Sequence, residues 1–358
     1  MMKPLKPLNI TYLISSWLSI SMIFIIGEVV IRFGVFSSLI IVCAFILAFV
    51  ASFALQKFIA LYSLGIKKSP ILGQVILAIR FLEIYVLHLF VCGLIFHTLF
   101  QMNIYISVIP TSIILLVCAI YLPKGEKLHL SIKDSRFVLI SGLAIILPTY
   151  IYLQKGLESL YHNLLYYQPH VLNHDSKHLW LLLLGAFFIF FSKLLLQGEA
   201  IVNYTNPNVK KGIGKLLIAV FIFCAFILAF ATMNIVAITQ NLHASHANEL
   251  FILLIEKLSP SVVFKIFCLI LYFVTLVILI DTLPSTDKGA KRNKIFNASF
   301  VLILLSVFIT IAVFQHFSLL VIYAFFGLLI SILVIAAIVI EVLRNRPRMS
   351  TKLKKSQQ

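Results

Sequence analysis

The sequence predicts an all-α membrane protein that crosses the bilayer about ten times. Of its 358 residues, 61% are apolar and only 11% are charged, and the mean hydropathy is +1.08. No soluble domain would stay in solution with such a composition. The apolar residues form long stretches, and the charges lie mainly in the connections between them. These observations favour a polytopic helical bundle that uses the whole chain, 1–358, as a single membrane domain.

Each apolar stretch is long enough, at about 20 residues, to span the hydrocarbon as a helix. The first is too long for a signal-peptide core and has no small-residue cleavage site after it, so we expect it to stay attached. The stretches lie at 9–33, 35–62, 71–100, 104–122, 136–154, 178–200, 214–240, 261–283, 295–314 and 317–343.

The net charge of +17 comes mainly from Lys and Arg residues in every second connection between the apolar stretches. It does not indicate a nucleic-acid surface, because no basic stripe is interleaved with aromatics in a soluble module. Under the positive-inside rule this alternation predicts that both termini are cytoplasmic in a plasma membrane protein. The last segment, 344–358, becomes a basic cytoplasmic tail. The cations of the predicted inner side are Lys3, Lys6, Lys57, Lys67, Lys68, Lys124, Lys127, Lys133, Arg136, Lys210, Lys211, Lys215, Lys288, Lys291, Arg292, Lys294 and those of the tail.

The common motifs of ATP-driven and hydrolytic chemistry are absent from the sequence. It contains no Walker A sequence, Gly-rich dinucleotide loop, H-E-x-x-H or G-x-S-x-G, so we expect no enzyme. The five cysteines lie inside apolar stretches and form no C-x-x-C pair, which argues against a zinc site or a disulfide framework. We therefore expect no cofactor, with a sodium ion as the one candidate exception.

Polar residues inside three apolar stretches need an explanation. In the first, serines precede Gly27, and Glu28 and Arg32 are spaced to pair on one helix face. In the third, Arg80 and Glu83 lie about one turn apart, and an intrahelical ion pair facing protein is expected. The serines, which can bond carbonyls of the preceding turn or line an interface, are Ser15, Ser16, Ser19 and Ser21.

The sixth stretch places Lys193 four residues before Gln197. Lys193 can extend its long side chain toward the lipid headgroups. Alternatively, its ammonium neutralises a buried acid or an anionic substrate. Both readings remain open at this stage.

Several stretches, in order, resemble the sodium:solute symporter family. Ser19-Ile20-Ser21 followed by Arg32-Phe33-Gly34 resembles the family's first core helix, where a small-residue break precedes a Y-R-Y-G-like end. The string IYLPKGEKLHLSIKDSRF, which contains Asp134, resembles the Y-x-x-G-G-x-x-A-x-x-x-T-D-x-x-Q connection. Residues 280–285, Ile-Asp-Thr-Leu-Pro-Ser, occupy the place of the family's M-S-T-x-x-S.

The resemblance implies two inverted five-helix repeats, 9–154 and 178–343, with the first and sixth helices broken near the midplane and a small solute between them. Gly27 is the clear break residue left in the first helix. The family's sodium site carries over to Ser19, Ser21, Asp281 and Thr282, and Asp134 would line the cytoplasmic route of the ion. The substrate candidates are Gly27, Lys193 and Gln197.

The resemblance therefore implies cation-coupled symport, driven by sodium or protons. One alternative is a non-transporting membrane receptor or signalling subunit on the same scaffold, which would need a protein partner of unknown identity. Another is a proton-coupled protein similar to amino-acid permeases. Asp281 is open to two readings, because a carboxylate there can bind a hard cation or a proton, or can end a helix before Pro284.

Overall fold

The computed structural model describes residues 10–55, 70–121, 126–167, 169–172, 176–197, 212–240, 242, 246–282, 292–316 and 318–355. This part of the chain consists of helices and their connections and contains no strand, which confirms the all-α fold class. Its α-helices are α1 (Ile10–Trp17), α2 (Ile20–Phe33), α3 (Ser37–Ala54), α4 (Pro70–Phe100), α5 (Val108–Tyr121), α6 (Glu126–Lys155), α7 (Leu157–Tyr167), α8 (Ser176–Leu196), α9 (Gly212–Thr239), α10 (Leu250–Leu258), α11 (Ser261–Thr282), α12 (Arg292–His316) and α13 (Leu319–Lys355).

Each of the ten predicted apolar stretches contains a helix, and the first contains two, α1 and α2. Within the described residues, six helices are long and apolar enough to cross a membrane. These lie in α3, α4, α8, α9, α11 and α13, and shorter apolar segments lie in α5, α6 and α12. Helices suit this setting because each satisfies its backbone polar groups internally, where lipid offers no partners. The protein is thus a helical membrane protein.

Helix α2 is the centre of the bundle. Eleven of its fourteen residues are buried, and a helix that is apolar on all sides belongs inside a bundle rather than at its lipid surface. It packs against α3, α4, α9, α10 and α13. It ends at Gly34, whose φ of 84° suits glycine because a side chain would be strained there.

Four aromatic rings fix the junction at the end of α1. Trp17 meets Phe45 of α3 and Phe223 of α9 edge to face, with ring centroids 5.6 and 5.8 Å apart. Phe190 of α8 completes the cluster at 5.2 Å from Phe45. Such edge-to-face pairs add to the stabilisation from burial. The cluster holds α1, α3, α8 and α9 together beside the gap between α1 and α2.

Helices α8 and α13 approach each other closely at two glycines. A Cβ on Gly327 would lie 2.8 Å from the Ile189 Cα and 2.9 Å from the Phe188 carbonyl carbon. One on Gly185 would meet only the Ala324 side chain, at 3.4 Å. Small residues let membrane helices pack backbone to backbone. This contact sets the position of α8 against the bundle.

Short helices lie in two of the connections between the predicted apolar stretches. One is α7, which is followed by a 3₁₀ turn at Pro169–Leu172. The other is the 3₁₀ turn Ala247–Glu249 with α10. Five of the nine residues of α10 are buried, because its apolar face packs into the bundle against α2, α9 and α11.

The sixth predicted stretch, 178–200, contains helix α8, which is continuous over Ser176–Leu196. Residues 198–200 lie outside the described part of the chain. The resemblance implies a break within this helix. Within residues 176–197 no such break occurs. The inverted five-plus-five repeat therefore stays a prediction.

Candidate functional site

The first predicted membrane helix is interrupted at Leu18 and Ser19. Helix α1 closes with the Leu18 amide donating to the Ile14 carbonyl at 2.9 Å, and α2 opens with the Met22 amide donating to the Ser19 carbonyl at 3.0 Å. Between them Ser19 is extended, with φ −116° and ψ 143°. Irregular backbone at membrane depth is tolerated only inside protein or beside a water-filled cavity, and Leu18 is buried. This interruption is the centre of the candidate site.

Two successive carbonyls at the end of α1 accept hydrogen bonds from α8. Lys193 Nζ donates to the Trp17 carbonyl and Gln197 Nε2 to the Ser16 carbonyl, each at 3.3 Å. In a continuous helix these carbonyls would accept from amides four residues further on. Gln197 directly follows α8, and its backbone amide donates to the Lys193 carbonyl at 3.2 Å, so the two side chains, four residues apart, lie on the same side. Their side chains thus replace the backbone donors that the interruption removes.

Lys193 lies in the protein interior and not at the headgroups. Its side chain is only 4% exposed, and its Nζ lies 5.1 Å from the centre of the Tyr323 ring on α13. A cation over an aromatic face is attracted to the ring. A positive charge is also favoured at the C-terminal end of a helix, here α1. The snorkelling reading of Lys193 is therefore wrong.

The start of α2 carries a hydroxyl pair next to a histidine. Ser19 Oγ and Ser21 Oγ are 2.6 Å apart, and Ser19 Oγ lies 3.4 Å from His88 Nε2 on α4. His88 Nδ1 lies 2.7 Å from the Ile84 carbonyl. A carbonyl only accepts, so Nδ1 carries the hydrogen. The site thus presents hydroxyls and an imidazole on the α2 side of the interruption, facing the ammonium and amide on the α1 side.

A buried ion pair borders the site on α4. Arg80 donates to Glu83 Oε2, as the spacing predicts, and Glu83 is fully buried. Its other oxygen, Oε1, has no hydrogen-bond partner among the described residues, and neither has the hydroxyl of Tyr323. Tyr323 lies close enough to Arg80 and Glu83 for their charges to act on it.

A second polar cluster lies at the other end of α2. Glu28 is 1% exposed, and its Oε1 pairs with Arg32 Nε at 3.1 Å, which confirms the predicted pair. Its Oε2 accepts from Asn248 Nδ2 and from the Leu320 amide, both at 3.2 Å. Asn248 also donates to the Phe24 carbonyl at 3.1 Å. Glu28 therefore joins α2 to the Ala247–Glu249 turn and to the start of α13.

Gly27 does not form the interruption. It lies within α2, one residue before Glu28, and is buried. A Cβ there would lie 2.6 Å from Asn234 Oδ1 of α9, so a larger residue would displace the Asn234 side chain. Choosing Gly27 as the break residue is wrong, because the helix is interrupted at Leu18 and Ser19.

Of the remaining predicted ion ligands, Thr282, Asp281 and Asp134, the structure describes the side chain of Thr282 alone. Thr282 is the last residue of α11, and its hydroxyl donates to the Leu279 carbonyl at 2.8 Å. Within the described residues no hydrogen bond joins it to Ser19 or Ser21. Asp281 and Asp134 belong to helices α11 and α6, but their side chains lie outside the described part.

The oxygens at the interruption do not fit a sodium ion well. The Trp17 carbonyl accepts from an ammonium, and the two serine hydroxyls bond to each other. A second monovalent cation on that carbonyl would lie next to Lys193 and be repelled. The interruption itself is therefore a poor place for a sodium ion.

Sequence reasoning found Lys193, Gln197 and the serines but missed three parts of the site. The Trp17 and Ser16 carbonyls belong to the backbone and have no signature of their own. Tyr323 is one of several aromatics in an apolar stretch. His88 carried a signal, since an imidazole amid apolar residues needs a partner.

No protein-family model matches the sequence, and no curated protein is similar to it.

Proposed function

We propose that the chain is a secondary active transporter that moves a small solute together with a cation by alternating access. The observation that supports this most is the interruption between α1 and α2, deep inside the bundle. Helix interruptions in transporters present backbone carbonyls and helix ends to a substrate, and the surrounding helices rock around them. Here the interruption carries an ammonium, two hydroxyls and an imidazole from three helices.

The hydrogen bonds at the interruption suit a site whose contacts break and form again in each transport cycle. Lys193 and Gln197 bond to α1 through three hydrogen bonds, because Gln197 Oε1 also accepts from the Ser16 hydroxyl at 3.0 Å, and Ser19 joins α2 to α4 through one. Each is worth about 1 kcal/mol or a little more when an ammonium is involved. Contacts of this size can be exchanged for contacts to a solute without unfolding the bundle. We place the solute between α1, α2, α4 and α8.

The location and orientation belong to the same proposal. The alternation of loop charges supports a plasma membrane protein with both termini in the cytoplasm. Its partners are then the lipid bilayer and the solute, with no role for nucleic acid.

Uptake into liposomes tests the proposal directly. The purified protein is reconstituted, and pools of radiolabelled solutes are offered with an inward sodium gradient, an inward proton gradient or no gradient. Accumulation in protein-containing liposomes but not in empty ones is the expected result. Binding of a solute without accumulation would replace the transporter by the receptor alternative. Neither binding nor accumulation of any solute would overturn both.

Two serine variants show whether the interruption is the site. Ser21→Ala removes a hydroxyl of the pair at the start of α2. Ser331→Ala is the matched control, because its equally buried hydroxyl bonds only to the Gly327 carbonyl within its own helix. We expect Ser21→Ala to lower uptake several-fold, since about 1 kcal/mol changes an equilibrium about fivefold. Equal losses of uptake in the two variants would mean that the solute binds elsewhere in the protein.

A further inference from the structure

The ammonium of Lys193 occupies the carbonyl that ends α1. The Trp17 carbonyl, the last of α1, accepts from Lys193 Nζ at 3.3 Å. A sodium ion on the same carbonyl would place like charges side by side.

Three features of the α1–α2 interruption favour an ammonium group there. The carbonyl end of α1 carries the negative end of a helix dipole. The centre of the Tyr323 ring lies 5.1 Å from Lys193 Nζ. The neighbouring carbonyl, that of Ser16, is already occupied by Gln197 Nε2, so the backbone oxygens next to the charge are taken up by nitrogen donors.

We infer that Lys193 supplies a resident, covalently tethered cation at the α1–α2 interruption, and that this site accepts alkylammonium ions in place of the side chain but no sodium. The inference rests on the proposed function only where it concerns transport, which should then proceed without sodium. As a statement about binding it stands on the geometry alone.

Thermal unfolding of the purified protein in detergent tests the binding statement without any transported solute. Unfolding temperatures are measured in sodium, potassium and choline chloride at equal ionic strength. For the natural protein we expect the same value in all three salts. A sodium-specific rise would overturn the inference, because it would show that sodium binds in the presence of the tethered cation.

Truncation followed by chemical rescue tests the ammonium site itself. Lys193→Ala should lower the unfolding temperature, and n-propylammonium should restore part of the loss while sodium and tetramethylammonium do not. The matched control is Gln197→Ala, which removes the donor to the adjacent carbonyl but no charge, and which n-propylammonium should not rescue. Rescue of both variants, or of neither, would overturn the inference.

Lys193→Met keeps the test informative if the alanine variant does not fold. Methionine retains most of the apolar stem and removes the charge, so the variant should fold with a lowered unfolding temperature and gain no stability from n-propylammonium, which has no space to enter. An unfolding temperature equal to that of the natural protein would overturn the inference, since the ammonium would then contribute nothing at the interruption.

The transport arm separates this inference from the proposed function. If a solute is accumulated, sodium-free and sodium-containing buffers should support equal initial rates. A strict sodium requirement would overturn the inference while leaving the transporter intact. Alkylammonium rescue without transport of any solute would instead support the ammonium site and contradict the proposed transport function.

Discussion

The side-chain amide of Asn248 lies 3.2 Å from Glu28 Oε2, which bonds the Ala247–Glu249 turn to the central helix α2. The same amide donates to the Phe24 carbonyl at 3.1 Å. Asn248 is buried, and Glu28 is nearly inaccessible. The carboxylate thus depends on donors from other parts of the fold, because a buried charge needs hydrogen bonds to offset its lost hydration.

Asn248→Ala should destabilise the protein by about 1–3 kcal/mol, since it removes two buried hydrogen bonds, one of them to a charged group. The measurement is thermal unfolding in detergent. Asn103→Ala is the control, because Asn103 is exposed and its side chain accepts only from the Tyr105 amide at 3.0 Å. An equal drop in the two variants would mean that Asn248 does not support Glu28.

Gly327→Ala should be more harmful than Gly185→Ala, although both glycines lie between α8 and α13. The new methyl group on Gly327 would meet the backbone of Ile189 at 2.8 Å, which can yield only if the two helices separate. On Gly185 it would make an ordinary contact with Ala324 at 3.4 Å. Overpacking of this kind costs about 1–3 kcal/mol.

Unfolding temperature measures the difference between the two glycine variants. Because Lys193 also belongs to α8, the Gly327 variant should in addition weaken any solute binding. Similar stabilities for both variants would show that α8 and α13 are less closely packed than the structure indicates.

The local pairs were predictable from the sequence because helical spacing alone brings their members together. Arg32 follows Glu28 by four residues, and Glu83 follows Arg80 by three, so each pair meets on one helix face. The ten apolar stretches were predictable for a similar reason, since each is a local property of composition.

The position of the interruption was not predictable, because it depends on residues far away in the chain. Gly27 is the local signal for a break, yet the backbone departs from the helix at Leu18 and Ser19. The donors that make this possible, Lys193 and Gln197, come from α8. Single-sequence reasoning named both donors but had no means of pairing them with the carbonyls of α1. The folding of α10 into the bundle is non-local in the same way.

Reporter fusions test the predicted orientation. A reporter fused after Lys127 or after Arg292 should show a cytoplasmic signal, and one inserted near His174 should show an external one. The physical reason is the excess of Lys and Arg in alternate connections. An external signal at Arg292 would contradict the topology and with it the repeat assignment.

His97 should hold α4 to the turn before α10 through Glu249. His97 Nδ1 lies 2.5 Å from the Met102 carbonyl, which only accepts, so that nitrogen carries a hydrogen. Nε2 lies 3.8 Å from Glu249 Oε1. The other carboxylate oxygen accepts from the His246 amide at 3.4 Å, and the imidazole of His246 faces the ring of Phe314.

His97→Gln should therefore loosen the turn, because it removes the imidazole that lies beside the Glu249 carboxylate. Hydrogen exchange over residues 246–255 measures this in the natural protein and in the variant. Exchange should be faster in the variant. Equal exchange in the two proteins would mean that the His97 contact does not hold the turn.

Asp281 remains the strongest sequence-based candidate for coupling to an ion. It is the penultimate residue of α11, and a carboxylate in the last turn of a helix is opposed by the helix dipole, at about 0.3–1 kcal/mol. The turn is supported from α4, because the Tyr85 hydroxyl donates to the Leu279 carbonyl at 3.4 Å. The hypothesis that this carboxylate binds the coupling ion can therefore be tested by removing its charge.

Asp281→Asn should therefore abolish ion-driven accumulation and leave the protein inserted and folded. The measurement is uptake into liposomes under sodium and proton gradients, with unfolding temperature as the check on folding. Thr282→Val is the companion variant, because it removes the hydroxyl that bonds the Leu279 carbonyl and keeps the carboxylate. If coupling needs the charge, the Asn variant fails and the Val variant keeps part of its activity. If the Asn variant accumulates solute normally under both gradients, Asp281 only ends a helix, and the ion must be bound elsewhere in the bundle.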